Sequence, residues 1–274
     1  MNNFLLIAVV LILTGCSKPA SLPLIVAHRG ASHDAPENTI PAFLLAWQQG
    51  ADAIEGDFFL TADGEIVCIH DSRTGRVADI DLVVKESAII ELRQLDVGLW
   101  KGDEWRGTVI PTLSEVLEIV PDGKKIFVEI KDDTDILPKL YHDIDQSGLS
   151  NEQIVIISFN SEVIREFKLA RPEHKAYWLS GFREDDSGNI IPEVGKVLEI
   201  LDYSGADGFS SNHRLIGQEF INRIISSGYE YHVWTVNDPE TAVKFMEYGA
   251  GSITTDKPGL IKEYIEHYVR SADR

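Results

Sequence analysis

From residue 24 onward, short β-type runs alternate with helical patterns, and this alternation constrains the fold more than any other feature of the sequence. Alternation of this kind is typical of a parallel sheet whose strands are connected by helices. About eight strand–helix pairs fit into this 274-residue chain, which matches an α/β fold, the (β/α)8 TIM barrel. In a barrel of that type the active site lies at the C-terminal ends of the strands.

The predicted elements follow one another without a long linker. The predicted strands cover 24–30, 53–61, 124–131, 153–160, 174–181, 206–212, 229–237 and 250–256. The predicted helices cover 38–50, 113–120, 136–148, 161–172, 193–205, 217–228, 238–249 and 259–271. An open doubly wound sheet is the alternative, but no Gly-x-Gly-x-x-Gly follows the first strand, and unusual polar residues are spread over several strand ends.

One segment interrupts the alternation. Residues 65–71 follow an Asp-Gly turn signal at 63–64, which predicts a hairpin in which this segment runs back alongside the preceding strand. Residues 72–111 have mixed polarity and weak periodicity. We expect them to form a small insertion at the C-terminal face of the strands, covering one side of the barrel mouth.

The N-terminal segment predicts export and lipid anchoring. Residues 1–15 carry an apolar run too short to span a bilayer, as in a signal peptide, and Leu-Thr-Gly-Cys-Ser at 13–17 resembles the bacterial lipobox. We therefore expect Cys16 to be lipidated, 16–23 to be a tether and 24–270 to be one domain in the bacterial cell envelope, facing the periplasm or the exterior. The alternative is an apolar leader cleaved elsewhere. Palmitate labelling that persists in a Cys16→Ser variant would contradict lipidation there.

Net charge restricts the binding partners that we expect, and the cysteine content restricts the disulfides. The formal net charge of −19 argues against a protein that binds nucleic acid or coats an anionic membrane, whereas a metal cation is a natural partner. Cleavage before Cys16 leaves only Cys68, in an apolar strand-like run, so we expect no internal disulfide and a buried thiol. The sequence indicates no obligate protein partner.

Three carboxylates end predicted barrel strands. Glu55 and Asp57 are two residues apart and share a face of their strand, and Glu129 ends the next predicted barrel strand. Carboxylates that converge on an interior repel one another and lose hydration, and a divalent cation removes that conflict. Oxygen ligands select one hard ion, Mg²⁺ or Ca²⁺. The alternative for each acid is a solvated strand end.

Basic groups lie at the ends of the predicted strands 24–30 and 124–131 and of the returning segment 65–71. His28 and His70 are candidates for an acid–base pair, because imidazole exchanges a proton near neutrality; a lone histidine is more often structural. Arg29 and Lys131 suit a phosphoryl group that gains charge in the transition state.

Aromatic residues lie near the ends of two other predicted strands. Trp234 and Phe159 are candidates for an apolar rim against the carbons of a substrate, with core packing as the alternative for both.

The ordered motifs resemble the glycerophosphodiester phosphodiesterase family over about residues 24–262. They are HRG (28–30), PENT (36–39), GADAIEGDFFLTADGEIVCIHD (50–71), PTLSEVL (111–117), VEIK (128–131), ISFN (157–160), HVWTVN (232–237) and ITTDKP (253–258). The resemblance implies a (β/α)8 barrel that hydrolyses glycerophosphodiesters to glycerol 3-phosphate and an alcohol. It implies metal ligation by the three carboxylates, acid–base roles for the two histidines, phosphate binding by Arg29 and Lys131, and a place at the mouth for Glu37. We expect Asn38 and Thr39, the next residues of the same motif, only to cap the following helix.

Two other functions stay open at this point. One is a phospholipase D-like or phosphoinositide-specific C-like barrel that acts on intact lipid. The other is a lipoprotein that binds phosphodiesters without turning them over. The sequence leaves open the choice of Mg²⁺ or Ca²⁺, the head group, and which histidine is the acid.

Overall fold

A computed structural model describes residues 22–272. Within them, the strands are β1 (Leu24–His28), β2 (Ala53–Leu60), β3 (Ile66–Cys68), β4 (Lys125–Ile130), β5 (Ile154–Ser158), β6 (Lys175–Ser180), β7 (Arg183–Glu184), β8 (Ile190–Ile191), β9 (Gly208–Asn212), β10 (Glu230–Trp234) and β11 (Ser252–Thr255). The helices are α1 (Ile40–Gln48), α2 (Ile89–Leu92), α3 (Leu113–Glu118), α4 (Leu137–Gln146), α5 (Ser161–Ala170), α6 (Val194–Ser204), α7 (Gln218–Ser226), α8 (Pro239–Glu247) and α9 (Pro258–Ala272). The predicted signal peptide and Cys16 lie outside the described residues.

Eight of these strands close into a parallel barrel in the order β1-β2-β4-β5-β6-β9-β10-β11. Closure is direct, because β1 pairs in parallel with both β2 and β11. The predicted (β/α)8 barrel is therefore confirmed, and the open doubly wound sheet is wrong because this sheet has no free edge at β1. β3 runs antiparallel to β2, as the turn signal predicted, and β7 pairs with β8 in a separate hairpin.

Alternate residues of the barrel strands face two separate cores. Outward-facing side chains such as Ile54, Val128 and Ile156 pack in the large cluster beneath the helices. Inward-facing side chains such as Phe127 and Tyr177 fill the barrel axis in a smaller cluster. Because the side-chain period of a strand is two, the same alternation continues into the strand ends and points their polar residues into the barrel mouth.

The first helix is held close to the end of β1. The Thr39 hydroxyl caps α1 by accepting from the Ala42 backbone N–H, and a proline in the first turn loses no needed hydrogen bond. Gly30 has φ +82°, and a Cβ there would lie 2.6 Å from the Ala42 carbonyl carbon. Glycine is therefore required where the chain turns from β1 towards α1.

The segment after β3 forms a small lobe on the barrel mouth. Its buried side chains, including Val77, Val84 and Leu92, make a separate apolar cluster with Phe59 and Val67 of the β2–β3 hairpin. The lobe also contacts loops that follow two barrel strands: Lys101 Nζ donates to the Ser32 carbonyl over 2.7 Å, and Lys85 pairs with Asp132. These loops leave the C-terminal ends of β1 and β4, so the lobe lies at that face. No helix within residues 22–272 is long and apolar enough to cross a bilayer.

Candidate active site

Strand register brings the predicted site residues together. His28 of β1 lies beside Glu55 of β2, and Asp57 of β2 lies beside Glu129 of β4. Paired residues of parallel neighbours point to the same side of the sheet, so all four side chains face the barrel interior. Two residue pairs in adjacent ladders thus place an imidazole and three carboxylates at one end of the barrel.

Glu55, Asp57 and Glu129 form a buried acidic triad. One oxygen from each lies within 4.8 Å of the others. Burial, with the charges of Asp57 and Glu129, raises the pKa of Glu55 well above its usual range. Burial and the Asp57 charge likewise raise the pKa of Glu129 to about 7. The three carboxylates therefore repel one another when they are all ionised.

Two basic side chains partly offset this repulsion. Arg29 Nε lies 3.2 Å from Asp57 Oδ2, and its backbone N–H donates to Glu55 Oε2 over 2.9 Å. Lys131 Nζ donates to Glu129 Oε1 over 2.7 Å and lies 3.4 Å from Asp57. Burial acts to raise the pKa of Asp57, but the Arg29 and Lys131 charges outweigh it and lower that pKa.

The donor set of the triad fits a hard divalent cation. Glu55 Oε1 and Asp57 Oδ1 are buried and have no hydrogen-bond partner. Leaving such atoms unpaired is costly, and carboxylate oxygens are the ligands that Mg²⁺ and Ca²⁺ prefer. Glu55, Asp57 and Glu129 are the residues that would hold the ion, and their chemistry suits either metal.

Each predicted catalytic histidine is oriented by a carboxylate. His28 Nδ1 lies 2.7 Å from Asp256 Oδ1, and His70 Nδ1 lies 2.6 Å from Asp71 Oδ1. In both rings Nε2 is the nitrogen left for a substrate, as expected of an imidazole that exchanges protons. Burial lowers the pKa of His70.

Asp256 is itself firmly held. Its carboxylate also accepts from Ser32 Oγ over 3.0 Å and from Asn237 Nδ2 over 2.6 Å. Burial acts to raise the pKa of Asp256, but the hydrogen bonds from His28, Asn237 and Ser32 lower it to about 2. Asp256 therefore stays ionised throughout the pH range in which a histidine titrates.

Most of the predicted site residues line one cavity at the barrel mouth. Its lining includes His28, Arg29, Glu55, His70, Glu129, Lys131, Phe159 and Trp234. Phe159 is 48% exposed and meets Trp234 edge-to-face with ring centroids 5.7 Å apart, so it is not a core residue. Trp234 is half-buried and also packs on the inner apolar cluster, so both of its predicted environments apply.

Two predicted residues lie behind this lining in the described part of the chain. Asp57 is completely buried beneath the mouth. Glu37 does not line the cavity, because its carboxylate is engaged by Arg29, over 2.9 Å, and by Arg76. Glu37 is thus placed as a support for Arg29 and not at the mouth itself.

Sequence reasoning missed several supporting residues. Asn38, expected only to cap α1, instead donates to Asp57 Oδ2 over 2.8 Å and accepts from the Asp57 backbone N–H over 3.1 Å. The N-cap of α1 is Thr39, and Asn38 precedes it with a φ of +58°. Asp71 and Asp256 lie within the motifs 50–71 and 253–258, but only the folded chain shows which histidine each one contacts.

Comparison with known proteins gives a consistent result. Residues 28–260 match the model of the glycerophosphoryl diester phosphodiesterase family. A glycerophosphodiester phosphodiesterase of Caldanaerobacter subterraneus subsp. tengcongensis is 33% identical over 240 residues, covering 86% of this chain and 94% of that protein.

Solved structures show the same likeness. A phosphodiesterase of Oleispira antarctica, solved with the product sn-glycerol-3-phosphate, superposes with a TM-score of 0.81 at 28% identity and covers 89% of this chain and 97% of its own. The glycerophosphodiester phosphodiesterase of Agrobacterium tumefaciens str. C58 gives a TM-score of 0.73 at 25% identity, covering 88% of this chain and 99% of its own.

The acidic triad predicts metal-dependent stability. A free cation concentration about 100 times its Kd should raise the free energy of unfolding by about 2.7 kcal/mol, because the ion binds only the folded triad. Since a proton on Glu129 competes with the ion, this gain should shrink as the pH is lowered through about 7. Thermal unfolding with Mg²⁺ or Ca²⁺, against chelator, measures both effects.

Matched variants make the metal test specific. Glu55→Gln should lose most of the metal-induced shift, because it removes one ligand charge. Glu118→Gln removes a carboxylate from the exposed face of α3 and should retain the whole shift. Equal shifts in the two variants would contradict a metal site at the triad.

Proposed function

The chain belongs to the glycerophosphoryl diester phosphodiesterase family, and we propose that it hydrolyses glycerophosphodiesters to glycerol 3-phosphate and an alcohol. The proposed reaction depends on a divalent cation at Glu55, Asp57 and Glu129 and on acid–base catalysis by His28 and His70. One observation carries this proposal: both histidines, the two basic side chains and two of the three carboxylates line a single cavity. The product complex of the Oleispira antarctica relative supports the substrate class.

The charged residues of the cavity suit a phosphodiester. The Arg29 guanidinium offers a fork of N–H donors, and Lys131 offers a point charge, so together they favour phosphate oxygens over a neutral group. Both are already oriented by carboxylates, which lowers the cost of ordering them on binding. A divalent cation bound at the triad supplies further positive charge for the phosphoryl oxygens in the transition state.

The two histidines can carry the proton transfers of a two-step hydrolysis. In the first step, one ring accepts the proton of the glycerol hydroxyl beside the phosphoester, whose oxygen attacks phosphorus. The bond from phosphorus to the leaving alcohol breaks as the other ring donates a proton to that alcohol. Water then opens the resulting cyclic phosphate, with the two rings in reversed roles.

The carboxylate partners distinguish the two rings. Asp71 shares its charge with Arg76, whereas the other hydrogen-bond partners of Asp256 are the neutral Ser32 and Asn237. An unshared carboxylate better supports a ring that carries a proton. We therefore assign His28 as the acid of the first step and His70, whose pKa burial lowers, as the base.

The proposal is tested by product release. Purified protein with Mg²⁺ or Ca²⁺ should release glycerol 3-phosphate from at least one of glycerophosphocholine, glycerophosphoethanolamine and glycerophosphoglycerol. Chelator should abolish release, and returning the metal should restore it, because the triad needs the ion to hold its charges together. A coupled glycerol 3-phosphate assay gives the rates. Binding of these diesters without release would instead support a non-catalytic lipoprotein.

The histidine assignment predicts different responses to the leaving group. His28→Ala and His70→Ala should each lower kcat on the natural diesters by roughly 10²- to 10⁴-fold, the usual range for acid–base catalysis. A glycerol phosphodiester with a p-nitrophenolate leaving group needs little protonation. It should therefore restore most of the rate of the first step, measured as p-nitrophenol release, in His28→Ala but not in His70→Ala.

Two controls accompany this measurement. His142→Ala changes an exposed histidine of α4 and should keep wild-type rates on both substrates. Both catalytic variants should keep the metal-induced rise in unfolding temperature, because neither ring is a member of the triad. Recovery of His70→Ala instead of His28→Ala would reverse the assignment, and near-normal rates in either variant would remove that residue from the mechanism.

A further inference from the structure

We infer that Arg76, in the lobe that covers the mouth, is a positioning residue that holds the catalytic His70 and the phosphate-binding Arg29 in fixed relation to each other. This inference rests on the proposed function, since it assigns Arg76 a role in that same reaction. It concerns a side chain that does not line the cavity, in the described part of the chain.

The Arg76 guanidinium bonds two carboxylates at once. Nη1 donates to Glu37 Oε2 over 3.0 Å and Nη2 donates to Glu37 Oε1 over 2.7 Å, a two-pronged pair. Its remaining edge donates from Nε to Asp71 Oδ2. Three N–H groups in one plane are needed for this arrangement, and lysine has no such rigid fork.

Each of these carboxylates contacts a proposed functional group on its other side. Glu37 Oε1 accepts from Arg29 Nη1 over 2.9 Å, and Asp71 Oδ1 lies 2.6 Å from His70 Nδ1. Charged contacts therefore run without a gap from Arg29 through Glu37, Arg76 and Asp71 to His70. Arg76 is the central member, and it is the one that joins the two halves.

The backbone around Arg76 is held by buried side chains and hydrogen bonds. Thr74 and Val77, on either side of it, are buried, and the Val77 N–H donates to the Thr74 carbonyl over 3.0 Å. Thr74 Oγ1 also donates to the Ile80 carbonyl over 2.6 Å. Because this turn is held independently of Asp71, the Arg76 guanidinium can determine where the Asp71 carboxylate lies.

An ordinary surface ion pair is the competing explanation, and the same turn contains one. Arg73 pairs with Asp81 at 2.8 Å, with 53% and 50% of the two side chains exposed. Neither residue of that pair contacts the cavity lining or any residue of the run of charged contacts from Arg29 to His70. Arg76 differs because its partner Glu37 is only 13% exposed and because both of its partners contact site residues. Arg73 is therefore a matched control three residues away.

The test compares Arg76→Ala with Arg73→Ala in the full-length, metal-loaded protein. Arg76→Ala should lower kcat for glycerol 3-phosphate release by roughly 10- to 100-fold, the usual effect of losing a residue that orients a ligand or catalyst. Arg73→Ala should stay within about twofold of wild type, since losing an exposed pair has little effect.

A pH profile separates positioning from general loss of structure. His70 is faced by Asp71, Asp57, Arg29 and Lys131. Removing Arg76 leaves the Asp71 charge unshared beside the ring, which favours the protonated imidazole. The limb of the kcat/KM profile that belongs to His70 should therefore move to higher pH in Arg76→Ala. It should not move in Arg73→Ala.

Further outcomes decide the inference. Arg76→Lys keeps the charge without the fork, so its kcat should lie between those of Arg76→Ala and wild type; it also replaces Arg76→Ala if that variant does not fold. The role of Arg76 would be overturned if its variants had the same kcat as Arg73→Ala and if the His70 limb of their kcat/KM profiles did not move. An inactive wild-type protein would instead contradict the proposed function, which keeps the two failures distinguishable.

Discussion

Mutual repulsion among Glu55, Asp57 and Glu129 is the constraint on which the rest of the site depends. Three carboxylates in a buried cluster cannot all be ionised without compensating charge. Arg29 and Lys131 supply part of that charge, and two buried oxygens without a hydrogen-bond partner mark where a cation would supply the rest. The same groups that relieve the repulsion are those suited to a phosphodiester.

The barrel beneath makes this concentration of charge possible. Apolar side chains such as Val26, Phe127 and Tyr177 fill its axis, so the three carboxylates project from strands that pack on a filled interior. Register between neighbouring strands, and not loop conformation, sets the spacing of the triad. Rigid placement matters because electrostatic stabilisation of a transition state depends on donors that need no rearrangement.

Support from outside the barrel is of two kinds. Buried polar partners, such as Asn38 on Asp57, hold the triad from within. The lobe after β3 instead contributes Arg76 from one side of the mouth and packs around its own apolar cluster.

Much of the fold and site could be predicted from residue patterns. Strand alternation is a local property, so it predicted all eight barrel strands and the inward direction of Glu55, Asp57 and Glu129. Contacts between distant segments are not local. Nothing around residue 256 indicates that Asp256 orients His28, and Asn38 reads as a cap until strand β2 lies beside it. Local residue patterns are therefore enough to predict the barrel and the chemical character of its mouth. Which charged groups contact each other depends on register and loop packing across the closed barrel, and these contacts are found only in the folded chain.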